Sequence, residues 1–403
     1  MTETIDINSV SFHAAKRRSI NKRVFSIAWR LCFGACYVSE FVFGHSNASR
    51  VFLILFFSMS VLDVIAKKRI FVNKFHIFFG LFIGVCLLNI VMGISINRSV
   101  SMSRIYSLGL NLVFLMFLSS MICYIGKRSF MLLLIRSTVI ADIAFIIVSS
   151  ILNGRIAVRG EANIANANTL AVMSSFCICI ICIQKAKYKK HLSLNDLLCI
   201  GVFLFFTMLS GARKPLLVLI IAYVVYILFS DSKEKAKITL RLGLAALAVY
   251  AAIMYIPFLY DVIGNRVESM ISFVSTGEGD ASARTRSHLI ETGWMYIKQR
   301  PFYGYGLDCF KLVKGSYGLY SHNNYIEMMF SIGLIGTIVY YSNHLMILIK
   351  SLKNRKKDPD CILAITLVAS VLFVDYGLVS YYARGILIIL CFCYLIARGG
   401  LKE

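Results

Sequence analysis

Charge is scarce in this 403-residue chain: only 16% of residues are Asp, Glu, Lys or Arg, against roughly 25% in an ordinary soluble domain. Proline is scarcer still, with four in all, so long helices run with few built-in breaks. There is no Gly-rich nucleotide loop, no zinc-type Cys/His spacing and no carboxylate cluster suited to Mg²⁺. Direct use of ATP by this chain is therefore not expected, and neither is a cofactor or a metal. Twelve cysteines are present, but Cys309 alone falls in the long hydrophilic segment described below, so a disulfide there is excluded. Cys179 and Cys182 form a C-x-x-C inside an apolar run and read as small packing residues.

What fills the chain instead is hydrocarbon: 58% of residues are hydrophobic and the mean hydropathy is +0.75. Apolar runs approaching the roughly 20 residues that cross a bilayer recur from end to end. They predict an all-α membrane protein of about twelve transmembrane helices, near 24–43, 51–66, 75–96, 106–125, 130–152, 165–184, 194–210, 215–230, 238–258, 324–349, 361–378 and 382–397. The span containing Asp375 and the short second span are the least regular. The polar stretch 1–23 lacks a cleavage site, so the first apolar segment is expected to insert and stay.

The net charge of +23 would point a soluble protein towards nucleic acid. Here the basic residues are divided among alternate connections: Lys16 to Arg23, Lys67 to Lys74, Lys127 and Arg128, Lys185 to Lys190, Lys233 to Lys237, and Lys350 to Lys357. That alternation is the positive-inside pattern. It predicts a membrane protein with both termini cytoplasmic, whose partner is the bilayer rather than nucleic acid.

The same alternation places the long segment 259–323 outside the cytoplasm. It holds both signs of charge together with Trp294, Phe302, Tyr303, Tyr305, Phe310, Tyr317 and Tyr320, too aromatic for a disordered linker. A folded cap is expected, with an amphipathic helix over 283–298 that presents Leu289, Trp294 and Ile297 to the core. Pro301, Gly304 and Gly306 end that helix in a turn. Where the segment re-enters the membrane stand His322, Asn323 and Asn324, polar side chains that hydrocarbon penalises. Other outer connections add Arg159 beside Asn163, Asn166 and Asn168, the pair Arg213 and Lys214, and Arg284 with Arg286. Singly these are helix-end arginines. Together, guanidinium groups and amides beside a histidine suit a phosphorylated ligand at the membrane surface.

These residues carry a resemblance. Arg213 to Leu217 follows the R-x-x-x-L element of the O-antigen ligase family. His322-Asn323, nine residues, then Gly333-Leu334-Ile335-Gly336 fits its H-[NSQ]-x9-G-x-x-[GTY] element. The P-F-Y-G-Y-G block, Asn166-Ala167-Asn168, and Arg286 fifteen residues before Pro301 resemble elements of the wider O-antigen ligase and polymerase superfamily; Lys214-Pro215 departs from the usual pattern. The resemblance implies a GT-C-like membrane glycosyltransferase, working without metal, that moves a glycan from a polyprenyl diphosphate-linked oligosaccharide to a saccharide acceptor. It implies that Arg213 and Arg286 stabilise the diphosphate leaving group, with Arg159, Arg284 and Lys214 as further contacts. His322 would be the general base. Asn323 or Asn324 would cap the helix, and Glu327 would orient His322 or replace it as base. A polysaccharide repeat-unit polymerase working with a flippase and a chain-length regulator is the first expectation. A ligase transferring finished glycan to lipid A core or a protein is the second, and a lipid-glycan transporter a remote third.

Overall fold

The computed structural model describes residues 7–44, 46–68, 70–153, 166–212, 214–229, 250–251, 253–257, 260–264, 268, 281–399 and 401. Among these the regular structure is helical: α1 (Ile7–Phe43), α2 (Asn47–Lys67), α3 (Lys74–Val91), α4 (Arg98–Ile125), α5 (Lys127–Asn153), α6 (Ala167–Lys187), α7 (Leu194–Ser210), α8 (Lys214–Phe229), α9 (Ala281–Gln299), α10 (Asn324–Asn354), α11 (Asp360–Val374) and α12 (Arg384–Arg398), with a π-turn at Tyr260–Gly264 and a 3₁₀ turn at Phe310–Leu312. Six helices (α2 to α6 and α10) are long and apolar enough to cross a membrane, and α7, α8 and α11 are shorter apolar helices. This is a multi-pass membrane α protein. Helices lie over the expected spans that fall among the described residues, although α3 ends at Val91 and α11 at Val374, short of the expected 96 and 378; about two thirds of the ninth, 238–258, lies outside the described residues.

Local chemistry sets the helix starts. Asn73 and His76 form a reciprocal capping box on α3, and Ser193 and Asp196 do the same on α7. Asn97 caps α4 and Asn166 caps α6. Each polar residue satisfies amides that would otherwise be orphaned at the membrane boundary. In the interior, α12 is buried from Gly385 to Ala397 and packs on α4, α6, α10 and α11. An all-round apolar helix belongs in such a place. At the periphery α2 turns Val51, Ile54, Leu62 and Ile65 outward, as lipid-facing side chains.

Contacts sort the connections onto two ends of the bundle. At one end Asp360 accepts from Lys127 (2.5 Å), Lys187 (2.7 Å) and Gln184 (2.9 Å), while Lys185 pairs with Asp196. At the other, Arg384 joins Glu40 (2.6 Å) and Asn111 (3.0 Å), Arg104 joins Asp308 (3.0 Å), and Lys214 Nζ donates to the Gly377 carbonyl. Among the described residues, the connections α4–α5, α6–α7 and α10–α11 thus meet at one end, and α3–α4 and α11–α12 at the other.

The described part of 259–323 folds back on α10. Leu289, Ile297, Tyr305, Cys309, Phe310, Ile326 and Phe330 form a small core of their own. Trp294 corrects the expected helix face: it is 49% exposed. The contact stripe runs Leu289, Gly293, Ile297, at i, i+4 and i+8. A Cβ on Gly293 would meet Ile326 Cγ2 at 2.2 Å, so the residue at the point of closest approach has no side chain and left no hydrophobic signal. Trp294, one residue on, is rotated away by about 100°. Leu259 and most of 265–280 lie outside the described residues.

Candidate active site at the entry to helix α10

Helix α10 is broken at Gly333, whose φ of 65° and ψ of −169° are not helical. Such a break frees backbone groups that must find partners inside a membrane protein. The segment after α9 supplies them. Tyr305 N–H donates to Phe330 O and Gly306 N–H to Ser331 O, both at 2.8 Å, and Leu334 N–H donates to Pro301 O at 2.8 Å. Backbone touches backbone here: a Cβ on Gly333 would lie 2.2 Å from Phe302 O, and one on Gly304 would lie 2.5 Å from Phe330 O. The two glycine-bearing elements noted in the sequence are thus the two halves of one joint.

The helix start above this joint is equally constrained. Asn323 caps α10, its Oδ1 accepting from Tyr325 N–H (2.9 Å) and Ile326 N–H (3.1 Å). Asn324 is fully buried. Its Nδ2 donates to Tyr341 Oη (2.9 Å) and Asp375 Oδ2 (3.2 Å), and its Oδ1 accepts from the amides of Ser380 (3.1 Å) and Tyr381 (3.3 Å). Those four bonds exhaust an amide's capacity. Asp375 in turn accepts from Tyr341 Oη at 2.9 Å and from Ser380 Oγ. The acidic residue that made the eleventh span irregular therefore follows the end of α11 and ties it to α10. Asn324→Ala is expected to lower the melting temperature of the purified protein markedly, because it strands several buried groups at roughly 1–3 kcal/mol each. An unchanged melting temperature would refute that role.

Glu327, 1% exposed, accepts the Ser321 amide at 3.1 Å. Its hydrogen bond thus fixes the loop before His322 rather than the imidazole itself. His322 sits between these anchored neighbours with φ of 56°, a left-handed backbone that costs a non-glycine residue roughly 1–2 kcal/mol. Its ring is half-buried and lies 4.1 Å from the ring of Tyr320. Burial, then the positive charges of Arg286 and Lys214, push the His322 imidazole down to about 4. The imidazole is accordingly neutral at pH 7. Burial also pushes the Tyr320 phenol up, against the pull of Arg286.

The structure therefore gathers Arg286, Lys214, Tyr320 and His322 into one electrostatic neighbourhood, with Asn323, Asn324 and Glu327 as its frame. Arg284 and Arg286 are both exposed on α9. Arg213 and Arg159 lie outside the described residues. Sequence reasoning missed Arg104 and Arg384. Arg104 stacks 4.0 Å from the Tyr382 ring centroid while bonding Asp308, and Arg384 bonds Asn111, whose Nδ2 reaches Tyr382 O at 3.2 Å. A lone arginine at a span end carries no spacing signal; a pair placed at the same end of two helices would have been the clue.

A family model described as O-antigen ligase matches residues 198–341, about a third of the chain, from within α7 to within α10. The match supports placing the chain in the O-antigen ligase and polymerase superfamily. Its span takes in the described members of the site: Lys214, Arg286, the Gly304–Gly333 joint and His322. This domain indicates a membrane glycosyltransferase of the ligase or polymerase type, with lipid-linked glycans as the substrates that the superfamily implies. A search of curated proteins finds no match.

Proposed function

We propose that this chain transfers a glycan from a polyprenyl diphosphate donor to a saccharide hydroxyl on the extracytoplasmic side, without metal, as a polysaccharide repeat-unit polymerase. The observation that carries the reading is the placement of His322, held in a left-handed backbone at the entry to α10 in the electrostatic neighbourhood of Arg286 and Lys214. As the glycosidic bond breaks, charge grows on the diphosphate oxygens, and fixed cations stabilise it there. His322 takes the proton of the attacking hydroxyl. Arg213, Arg284 and Arg159 extend the cationic lining in this proposal. Segment 259–323 is the cap over the site, on a twelve-span GT-C-like bundle in the inner membrane. The matched family's own description favours a second reading, an O-antigen ligase that transfers finished glycan to lipid A core or a protein. Purified acceptors separate the two: elongation of lipid-linked repeat units supports polymerase, and modification of lipid A core supports ligase.

Arg286→Ala is expected to abolish product formation while the protein stays inserted and abundant. Arg286→Lys restores part of the rate, because an ammonium lacks the planar fork that grips two phosphate oxygens. Near-normal product from Arg286→Ala in membranes supplied with lipid-linked donor would sink the diphosphate assignment. The pH profile is a separate test. His322 is in its base form above about pH 4 in the free protein, so the acid limb of kcat/KM should appear only below about pH 5. A bound diphosphate offsets the repulsion from Arg286 and Lys214, so the acid limb of kcat should lie at higher pH than that of kcat/KM. Coincident limbs would contradict this placement of the donor.

Both termini, Lys187, Lys235 and Arg355 are assigned to the cytoplasm, and Gly315 to the outside. A Cys introduced at Gly315 in a Cys-free background should react with an impermeant maleimide in intact spheroplasts. Reaction only after permeabilisation would invert the topology.

A further inference from the structure

An open cleft of about 470 Å³ lies beside the joint, walled by Gly93 and Ile94 of the α3–α4 connection and by the stretch from Gln299 to Gly304. Two guanidinium groups bracket it. Arg300 sits 4.8 Å from the Tyr305 ring centroid and leans on the Ile94 carbonyl at 3.5 Å. Arg98, the first residue of α4, holds Nη2 3.5 Å from the position a Cβ on Gly93 would take. Both side chains are exposed, and among the described residues neither forms an ion pair with a carboxylate. The N-terminus of α4 adds its own partial positive charge at the same place.

The two helices leading away from the cleft present bare hydrocarbon. Leu88, Val91 and Met92 at the end of α3 are 58%, 78% and 67% exposed; Leu334, Ile335 and Ile338 on α10 are 40%, 44% and 60% exposed. Helices α3 and α10 pack on one another, so these exposed apolar side chains stand on neighbouring helices that both lead from the cleft. Phe302 and Tyr303, each more than half exposed, stand at the rim, where aromatic rings favour the headgroup layer. Gly333, at the joint, is nine residues beyond Asn324, so the cleft lies about 13 Å along the helix from the His322 end.

We propose that this cleft binds a glycerophospholipid with an anionic headgroup, its phosphate held by Arg98 and Arg300 and its chains lying along the exposed flank of α3 and α10. The apolar flank argues for a lipid rather than a free anion. The distance from His322 argues for a bilayer lipid rather than the glycan donor.

The test uses the full-length protein in mild detergent, with bound lipid counted by native mass spectrometry. Dioleoylphosphatidylglycerol should be retained in preference to dioleoylphosphatidylethanolamine. An arginine near an anionic lipid surface is worth about fivefold in affinity, so the double variant Arg98→Gln, Arg300→Gln should bind phosphatidylglycerol about 25-fold more weakly. Ile338→Asn should weaken retention of both lipids while leaving the preference intact. Both arginines are exposed, so an unchanged melting temperature without lipid is expected of the double variant; if it unfolds, each single Gln variant is measured instead. Equal retention of phosphatidylglycerol by variant and parent would overturn the proposal. So would protection by inorganic phosphate alone, which marks a free-anion site, or displacement by equimolar polyprenyl phosphate, which marks a donor portal.

Discussion

Replacement of His322 by Ala is expected to lower turnover by about 10²–10⁴-fold, the usual contribution of a positioned general base, with little change in donor affinity. In the proposed mechanism the base acts on the acceptor hydroxyl during the chemical step, whereas Arg286 and Lys214 meet the donor's charges. Two further variants separate chemistry from architecture. His322→Gln keeps hydrogen-bonding capacity without basicity and should be as slow as Ala. His322→Gly removes the imidazole but relaxes the left-handed backbone at φ of 56°, so it should be slow yet at least as stable as the parent. The measurement is initial rate per folded molecule, with donor affinity and melting temperature taken separately. A His322→Gln enzyme at near-normal rate would end the general-base assignment and turn attention to Glu327.

The second large effect is expected at Gly333, and it concerns folding rather than rate. Its backbone angles lie in a region that residues with a side chain almost never enter, at roughly 1–3 kcal/mol from strain alone. A Cβ there would also lie 2.2 Å from the Phe302 carbonyl oxygen, a backbone atom that no rotamer change can move. Relief requires the segment Pro301–Gly306 to pull away, forfeiting the bonds from Tyr305, Gly306 and Leu334. Gly333→Ala should therefore deplete the protein from membranes or lower its melting temperature by many degrees. Gly84→Ala in α3 is the matched control, since a Cβ there meets nothing within 4 Å. Equal abundance of the two variants would show that the joint carries no weight.

Much of the helical plan was legible because its signal is hydropathy, which survives without tertiary context. The span expected at 194–210 is helix α7 residue for residue, and the expected 283–298 helix is α9 with two residues added at one end and one at the other. Failures cluster where backbone, not side chain, makes the contact. Gly293 hid the packing face of α9 and so misdirected Trp294. The spacing from His322 to Gly333 was visible, yet its reason was not, because a helix break is invisible to a pattern that scores Gly333 as one more small apolar residue. That Asn323 or Asn324 caps the helix was legible from position; that the cap is Asn323 came from the structure. Asn324 was not legible as a four-bond hub, since its partners Tyr341, Asp375, Ser380 and Tyr381 are 17 to 57 residues away.

The joint at Gly333 also imposes an order on synthesis. The residues that complete the hydrogen-bond ladder of α10 come from Pro301–Gly306, which leave the ribosome before α10 does. When the second half of α10 reaches the insertion machinery, its partner strand has already been made and, in the proposed topology, already exported. A nascent chain whose outer segment is held back would present a helix with three unmet backbone groups to the bilayer. In that topology, export of the segment is a precondition for stable insertion of the helix that follows it, and the backbone around His322 in between is assembled by the same event.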